Sequence, residues 1–248
     1  MERIHPDGGI IRVTGSEARH MTRVLRMGPG DRLVIMDDTG ARYQAVITSV
    51  SQDEALLMPE RSLPVPMPSP LEITLCPSLL KSRPMDLLIQ KASELGVTRI
   101  QPHISSRSVV HIEGKRAESR MRHWKEIAVN SAKQADRTVP ARVEVPVSFK
   151  EVMARWRDRL VPRILLWEAE DSADLKGFLR QSPPADALAV VVGPEGGFHP
   201  EEVRAARDAG FSPVSLGRRI LRAETAALAV TAVVQYEWGD LSLKGGLE

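Results

Sequence analysis

Five prolines, at positions 59, 64, 66, 68 and 70, crowd into one short stretch of this 248-residue chain. Proline lacks a backbone N–H and fixes φ, so residues 59–70 disfavour helix and sheet interior and read as an extended, semi-rigid connector. A domain boundary is expected there. It predicts two domains, 1–68 and 69–248. Upstream, residues 10–14 read as a strand, 16–26 as a short helix capped by Ser16, 32–37 and 42–51 as strands about the turn Asp37-Asp-Thr-Gly40, and 55–58 as a further short strand. This is a small, mostly β module.

Downstream the pattern becomes an alternation. Residues 71–76 read as a strand, 84–95 as a helix stopped by Gly96, 99–103 as a strand and 115–136 as a long helix with Met121, Trp124, Ala128 and Ala135 at helical spacing. Strands at 142–145, 164–167, 187–192 and 214–216 then alternate with helical stretches at 148–157, 172–180, 200–209 and 224–238. Such alternation predicts an α/β domain with a parallel sheet covered by helices on both faces. Apolar residues at 42% and charged residues at 27% fit a globular chain and exclude a disordered or collagen-like one. Cys76 is the only cysteine, so neither an intrachain disulfide nor a cysteine-based zinc site can form. No apolar run approaches the length needed to span a bilayer, and the N-terminus lacks a signal peptide's apolar core, so a cytoplasmic location is expected. His5, His20, His103, His111, His123 and His199 show no metal-ligand spacing, so no metal is expected.

Two segments carry the chemistry. Gly193-Pro-Glu-Gly-Gly-Phe198 follows the apolar strand at 187–192 and precedes a helix starting near Pro200, which puts it at the carboxyl end of a parallel strand, where open α/β sheets bind ligands. Its glycines permit positive φ and close approach of a ligand to the backbone, and Pro194 stiffens the loop. No Gly-Lys-Ser/Thr follows, and the spacing is not Gly-x-Gly-x-x-Gly, so nucleotide-triphosphate and dinucleotide loops are excluded. Leu216-Gly-Arg-Arg-Ile-Leu-Arg-Ala-Glu-Thr-Ala-Ala227 likewise leaves a strand through glycine and enters a helix. Arg218 and Arg219 read as a solvated pair. Arg222 and Glu224 read equally as helix-start ion pairing or as functional groups.

At these segments the chain resembles the ribosomal small-subunit RNA methyltransferase E family, the N3-methyluridine enzymes of the SPOUT superfamily. The resemblance extends over the whole chain through Val24-Leu-Arg26 with Gly30-Asp31, Gln90-Lys-Ala-Ser-Glu-Leu-Gly-Val97, Arg107-Ser108, and the pair Gln134 and Arg137 followed by Val139-Pro140. It implies a β-rich, PUA-like N-terminal domain, a SPOUT-type trefoil-knotted α/β domain, S-adenosyl-L-methionine as methyl donor, and a homodimer built through the small, apolar helix at 225–234. Two departures stand out: His199 where the family often has serine before Pro200, and Ala223 where threonine is common. His199 can still open a helix, with Pro200 in its first position and Glu202 in the capping-box place.

Nearness to these loops and to the sheet's ligand edge gives individual residues expected roles. The donor would be held by Leu165, Leu166 and Trp167 at one strand end, by Gly193, Pro194, Glu195, Gly196 and Gly197, and by Leu216, Gly217, Ile220, Leu221 and Ala226, with Ile220 and Leu221 against the purine. Uridine N3 carries a proton at neutral pH, so catalysis needs a proton acceptor or a cation near the base oxygens. Arg222 is expected to stabilise the anion, with Glu195 or Glu224 as acceptor. Small-subunit 16S ribosomal RNA, naked or in the assembled 30S subunit, would meet Arg12, Arg19, His20, Arg23 and Arg26 in the first domain and Lys81, Arg83, Arg107 and Arg137 in the second. The net charge of +2 conceals an uneven spread: segments 1–68, 69–145 and 146–248 carry −1, +5 and −2. Methylation of another rRNA or tRNA position, ribose 2′-oxygen included, and a non-catalytic RNA-binding assembly factor are the alternatives the sequence leaves open.

Overall fold

The computed structural model describes residues 9–37, 40–51, 53–110 and 114–241, the side chains of Ser16 and Lys115 excepted. The expected Ser16 cap, the turn centre Asp38-Thr39, His5 and His111 lie outside the described residues. The chain divides into two compact units, one ending at Met67 and the other beginning at Pro68.

In the first unit, β1 (Ile11–Thr14), β2 (Arg32–Met36), β3 (Arg42–Val50) and β4 (Glu54–Leu63) form an antiparallel sheet in the order β1-β4-β3-β2. Alternation along β3 sends Tyr43, Ala45 and Ile47 inward to meet Val13, Ile35, Ala55 and Leu57. Helix α1 (Gly15–Arg19) and a π-helical turn (His20–Val24) close this core with Ala18 and Met21. The single helix expected over 16–26 is thus two short pieces, ended by Arg26 at φ 55°. Strand β4 is longer than the 55–58 expected and contains Pro59, which the proline rule had placed in the connector. The pairing explains this. Strand β1 covers β4 only from Glu54 to Leu57, and β3 shifts register between Gln44 and Ala45, the residue paired with Pro59. Proline is tolerated where a strand is bulged and its missing N–H faces no ladder partner.

The second unit holds a six-stranded, all-parallel sheet. Its strands are β5 (Glu72–Pro77), β6 (Arg99–Ile100), β8 (Arg142–Val143), β10 (Arg163–Leu166), β11 (Ala187–Val192) and β12 (Ser212–Val214), in the order β12-β10-β11-β5-β6-β8. One face, with Ile73, Leu75, Ile164, Leu166 and Val190, packs on α2 (Ser82–Glu94), α3 (Lys115–Gln134), α5 (Leu175–Gln181) and α7 (Ala223–Glu237). The other, with Cys76, Leu165, Ala189 and Val191, packs on α4 (Phe149–Trp156) and α6 (Pro200–Asp208). Each fully buried Val, Leu or Ile side chain stabilises this arrangement by about 1.5–3 kcal/mol. Burial pushes the Cys76 thiol up to about 12, so it acts as a small apolar core group.

The strand expected over 99–103 is split. Pro102 interrupts it, and β7 (His103–Ile104) leaves the main sheet to pair in parallel with β9 (Val147–Ser148). Gly96 ends α2 with φ +91°, and a Cβ there would lie 2.3 Å from Gln235 Nε2 of α7. This position therefore needs glycine both for its backbone angle and for the approach of α7.

Candidate active site

The carboxyl ends of β10, β11 and β12 open into a cleft of about 1210 Å³. Its walls are residues 193–197 after β11, 215–222 after β12, and the segment from Trp167 to Asp174 after β10. Parallel strands place these three chain exits on one sheet edge, and that gathers residues distant in sequence.

Glycine geometry shapes the first wall. Gly197 has φ +67°, and a Cβ there would stand 2.1 Å from Glu168 Oε1. A Cβ on Gly193 would meet the Phe198 ring at 3.0 Å. Gly217 adopts φ +101° in the second wall. Both loops therefore expose peptide N–H and C=O groups to the cleft where side chains would otherwise cover them.

The glycine-rich loop is braced from outside the cleft. Arg107 donates from Nη1 to the Gly196 carbonyl at 3.0 Å, and Lys81 Nζ lies 4.0 Å from Glu195 Oε2. The Ser106 N–H and hydroxyl donate to the Glu202 carboxylate at 2.8 and 2.9 Å. Glu202 also accepts from the His199 N–H at 2.9 Å, and His199 Nδ1 accepts from the Glu201 N–H at 3.4 Å. The expected helix start at Pro200 is thus present, with histidine in the capping position. Beneath it, Phe198 packs between Phe149 and the stacked ring of His103, at centroid distances of 5.5 and 6.1 Å.

His103 is fully buried, and neither ring nitrogen has a hydrogen-bond partner among the described residues. Burial pushes its pKa down to about 4, opposed by the Val192 and Cys76 carbonyls and the Glu202 charge. The folded ring stays neutral, whereas the unfolded one takes a proton below about 6.5. Stability is therefore full above that pH and falls as pH drops towards 4, by on the order of 3 kcal/mol. Urea midpoints measured across this range should fall with acidity, and His103→Phe should flatten the slope.

The opposite wall is fixed by a buried carboxylate. Glu170 accepts from the Ser172 N–H and hydroxyl and from Arg207 Nη2 at 3.0 Å. The Ser172 contact, opposed by burial and aided by Arg207, holds its carboxyl below the usual range. The Arg207 guanidinium in turn lies over the Trp167 ring, 5.9 Å from its centroid.

Of the residues expected to hold the donor, all but Leu165 line the cleft. Leu165 is fully buried in the core on the α4 and α6 face, because neighbours along a strand point to opposite faces and Leu166 takes the cleft side. Ile220 reaches the cleft but is 89% exposed. Arg222 and Glu195 both line the cleft and are exposed, whereas Glu224 is 9% exposed in the first turn of α7 and does not line it. Glu224 is corrected from an acceptor to a buried helix-start carboxylate.

Arg137 is corrected as well. Its guanidinium donates to the Ser93 and Val97 carbonyls at 2.5 and 3.0 Å, closing the carboxyl end of α2. Burial lowers its pKa, opposed by Asp240. Lys81, Arg83 and Arg107 are exposed. In the first unit Arg12 pairs with Glu54 at 2.7 Å and Arg19 with Asp53 at 3.0 Å, while His20, Arg23 and Arg26 are exposed. Glu168, Glu170, Asp174 and Phe178 also line the cleft. The acidic run after the strand end at Trp167 was the available signal for the first two; Asp174 and Phe178 arrive through the later chain path.

Residues 67–235 match the RNA methyltransferase domain family, and residues 13–57 match the RNA methyltransferase PUA domain family. A crystal structure of a ribosomal RNA small subunit methyltransferase E from Neisseria gonorrhoeae bound to S-adenosyl methionine is 32% identical, with a TM-score of 0.84 and 97% of each chain covered. The chain belongs to the ribosomal RNA small subunit methyltransferase E family. Its Bacillus subtilis relative of that name is 28% identical, over 91% of this chain and 89% of the relative. The first unit is accordingly the family's PUA-like domain, and the second is its SPOUT-type methyltransferase domain. Among the described residues no helix is long and apolar enough to cross a membrane, and no group of three His, Cys, Asp or Glu could hold a metal ion.

Proposed function

We propose that this chain transfers a methyl group from S-adenosyl-L-methionine to N3 of a uridine in small-subunit 16S ribosomal RNA. The observation that carries the reading is the glycine-built cleft at the ends of β10, β11 and β12, whose walls lack side chains where a ligand would approach the backbone. Its volume of about 1210 Å³ accommodates a nucleoside-sized donor. When bound, the donor supplies an electrophilic methyl group on a sulfonium.

The chain's own residues then have to hold, orient and exchange a proton. The peptide groups at 193–197 and 216–221 would bind the adenine and ribose, with Leu221, Ile220 and Trp167 supplying apolar surface. Positioning accounts for most of the rate enhancement in such a transfer. Glu195 is the candidate acceptor for the N3 proton, since Glu224 is buried away from the cleft. Lys81, 4.0 Å from Glu195, would hold this carboxylate in place. Arg222 would donate to the base oxygens as negative charge develops on the uracil.

Lys81, Arg83 and Arg107 would meet the phosphates of the target strand, and the exposed His20, Arg23 and Arg26 would dock the PUA-like domain on the RNA. Helix α7, with Val233 and Tyr236 exposed on its outer face, would carry a homodimer contact, and trefoil threading of the second domain and a cytoplasmic location belong to the same reading. Mass-spectrometric mapping of small-subunit RNA incubated with protein and donor tests it. N3-methyluridine supports the reading, and a ribose mark contradicts it.

A further inference from the structure

A second cavity, about 670 Å³, lies between α2 and α3 and shares no lining residue with the donor cleft. The two helices run parallel, since Arg120 donates to Ser82 at one end and Arg137 reaches the Ser93 carbonyl at the other. Residues 83, 87, 90 and 94 therefore share one face of α2, and 127, 130, 131 and 134 one face of α3.

The ionic groups of this groove are mostly engaged. Lys91 pairs with Glu94 at 2.8 Å, and Asp86 accepts from Trp124 Nε1 at 3.2 Å and lies 3.1 Å from His123 Nε2. What remains is distinctive. The amides of Gln90, Asn130 and Gln134 and the guanidinium of Arg83 form no hydrogen bond or ion pair among the described residues. Leu87, 44% exposed, and the partly buried Ile127 supply an apolar wall. Gln90 and Gln134 belong to the sequence motifs that the donor cleft leaves without a role.

An amide presents a donor and an acceptor side by side, the complement of a nucleobase edge. An apolar wall suits the face of a base, and a free guanidinium suits its phosphate. The surroundings agree in charge, for α2 and α3 together carry eight Lys and Arg against four Asp and Glu. We infer that the groove between α2 and α3 binds one unpaired nucleotide of the RNA substrate outside the donor cleft. Its base would lie along Leu87 and Ile127, with its edge read by Gln90, Asn130 and Gln134 and its phosphate held by Arg83. This rests on the reading of RNA as substrate.

The test titrates fluorescently labelled single-stranded RNA decamers against the full chain by anisotropy, at several salt concentrations. Gln90→Ala combined with Gln134→Ala should weaken binding about tenfold and leave the salt dependence unchanged, as loss of base contacts requires. Arg83→Ala should weaken binding and reduce the slope of log affinity against log salt by about 0.7, as loss of one phosphate contact requires. Calorimetry with S-adenosylmethionine on the same variants reports an intact fold through unchanged donor affinity. Wild-type RNA affinity in the amide variant would overturn the inference. So would a Leu87→Glu variant that becomes monomeric in sedimentation with RNA affinity intact, for then a second copy covers the groove. Failure of the wild type to bind donor would instead remove the methyltransferase reading while leaving the RNA titration interpretable.

Discussion

Arg222→Ala should lower kcat by about 10²–10³-fold and leave S-adenosylmethionine affinity within about twofold of the wild type. Arg222 lines the cleft and is exposed. It occupies the residue before α7 but makes no side-chain capping bond, so its removal leaves the helix start as it was. A loss confined to turnover is therefore separable from a loss of fold, and calorimetry with the donor beside single-turnover kinetics makes the separation. Arg222→Lys should fall between the two, because lysine keeps the charge without the planar fork. Equal loss of donor binding and turnover would contradict the assignment and make Arg222 a donor contact.

Gly197→Ala should weaken donor affinity roughly tenfold to a hundredfold. The new Cβ meets two obstacles. Its φ of +67° lies in the left-handed region, which costs an ordinary residue about 1–2 kcal/mol. The methyl group would also stand 2.1 Å from Glu168 Oε1, so either that carboxylate or the loop must move. Each 1.4 kcal/mol of this displacement lowers affinity tenfold. Adding Glu168→Ala removes the steric obstacle and leaves the backbone one, so the double variant should recover part of the loss in the same titration. Unchanged affinity in Gly197→Ala would show that the loop does not shape the donor site.

Much of this was legible in the sequence because parallel strands buried on both faces read as unbroken apolar runs, as 187–192 does, and because a glycine-rich loop directly after such a run has one place to be. The chain's contacts divide between Met67 and Pro68, inside the proline-rich stretch. Pro59 lies in β4 and not in the connector, and nothing in composition shows that β1 stops covering β4 at Leu57. The strand expected over 99–103 is split at Pro102, and its second half turns to pair with β9, whose two residues carry no periodicity of their own.

At the site, spacing gave the loops but not the side-chain directions. Leu165 and Leu166 are equivalent as letters, and only the strand pleat sends one to the core and the other to the cleft. Glu224 and Arg137 have the chemistry of functional residues, and helix geometry turns the first into a buried residue of α7 and the second into a cap on α2. The groove between α2 and α3 was invisible for the same reason: Gln90 and Gln134 stand 44 residues apart and meet only through the parallel packing of two helices.

The central claim, methyl transfer to uridine N3, is tested most directly by nuclease digestion and mass spectrometry of small-subunit RNA, both naked and as 30S subunits, after incubation with wild-type protein or Arg222→Ala and labelled S-adenosylmethionine. The account predicts labelled N3-methyluridine at one site with the wild type and a strongly reduced yield with the variant. Label on a ribose oxygen or on another base, or no label on either form of the RNA, would contradict it.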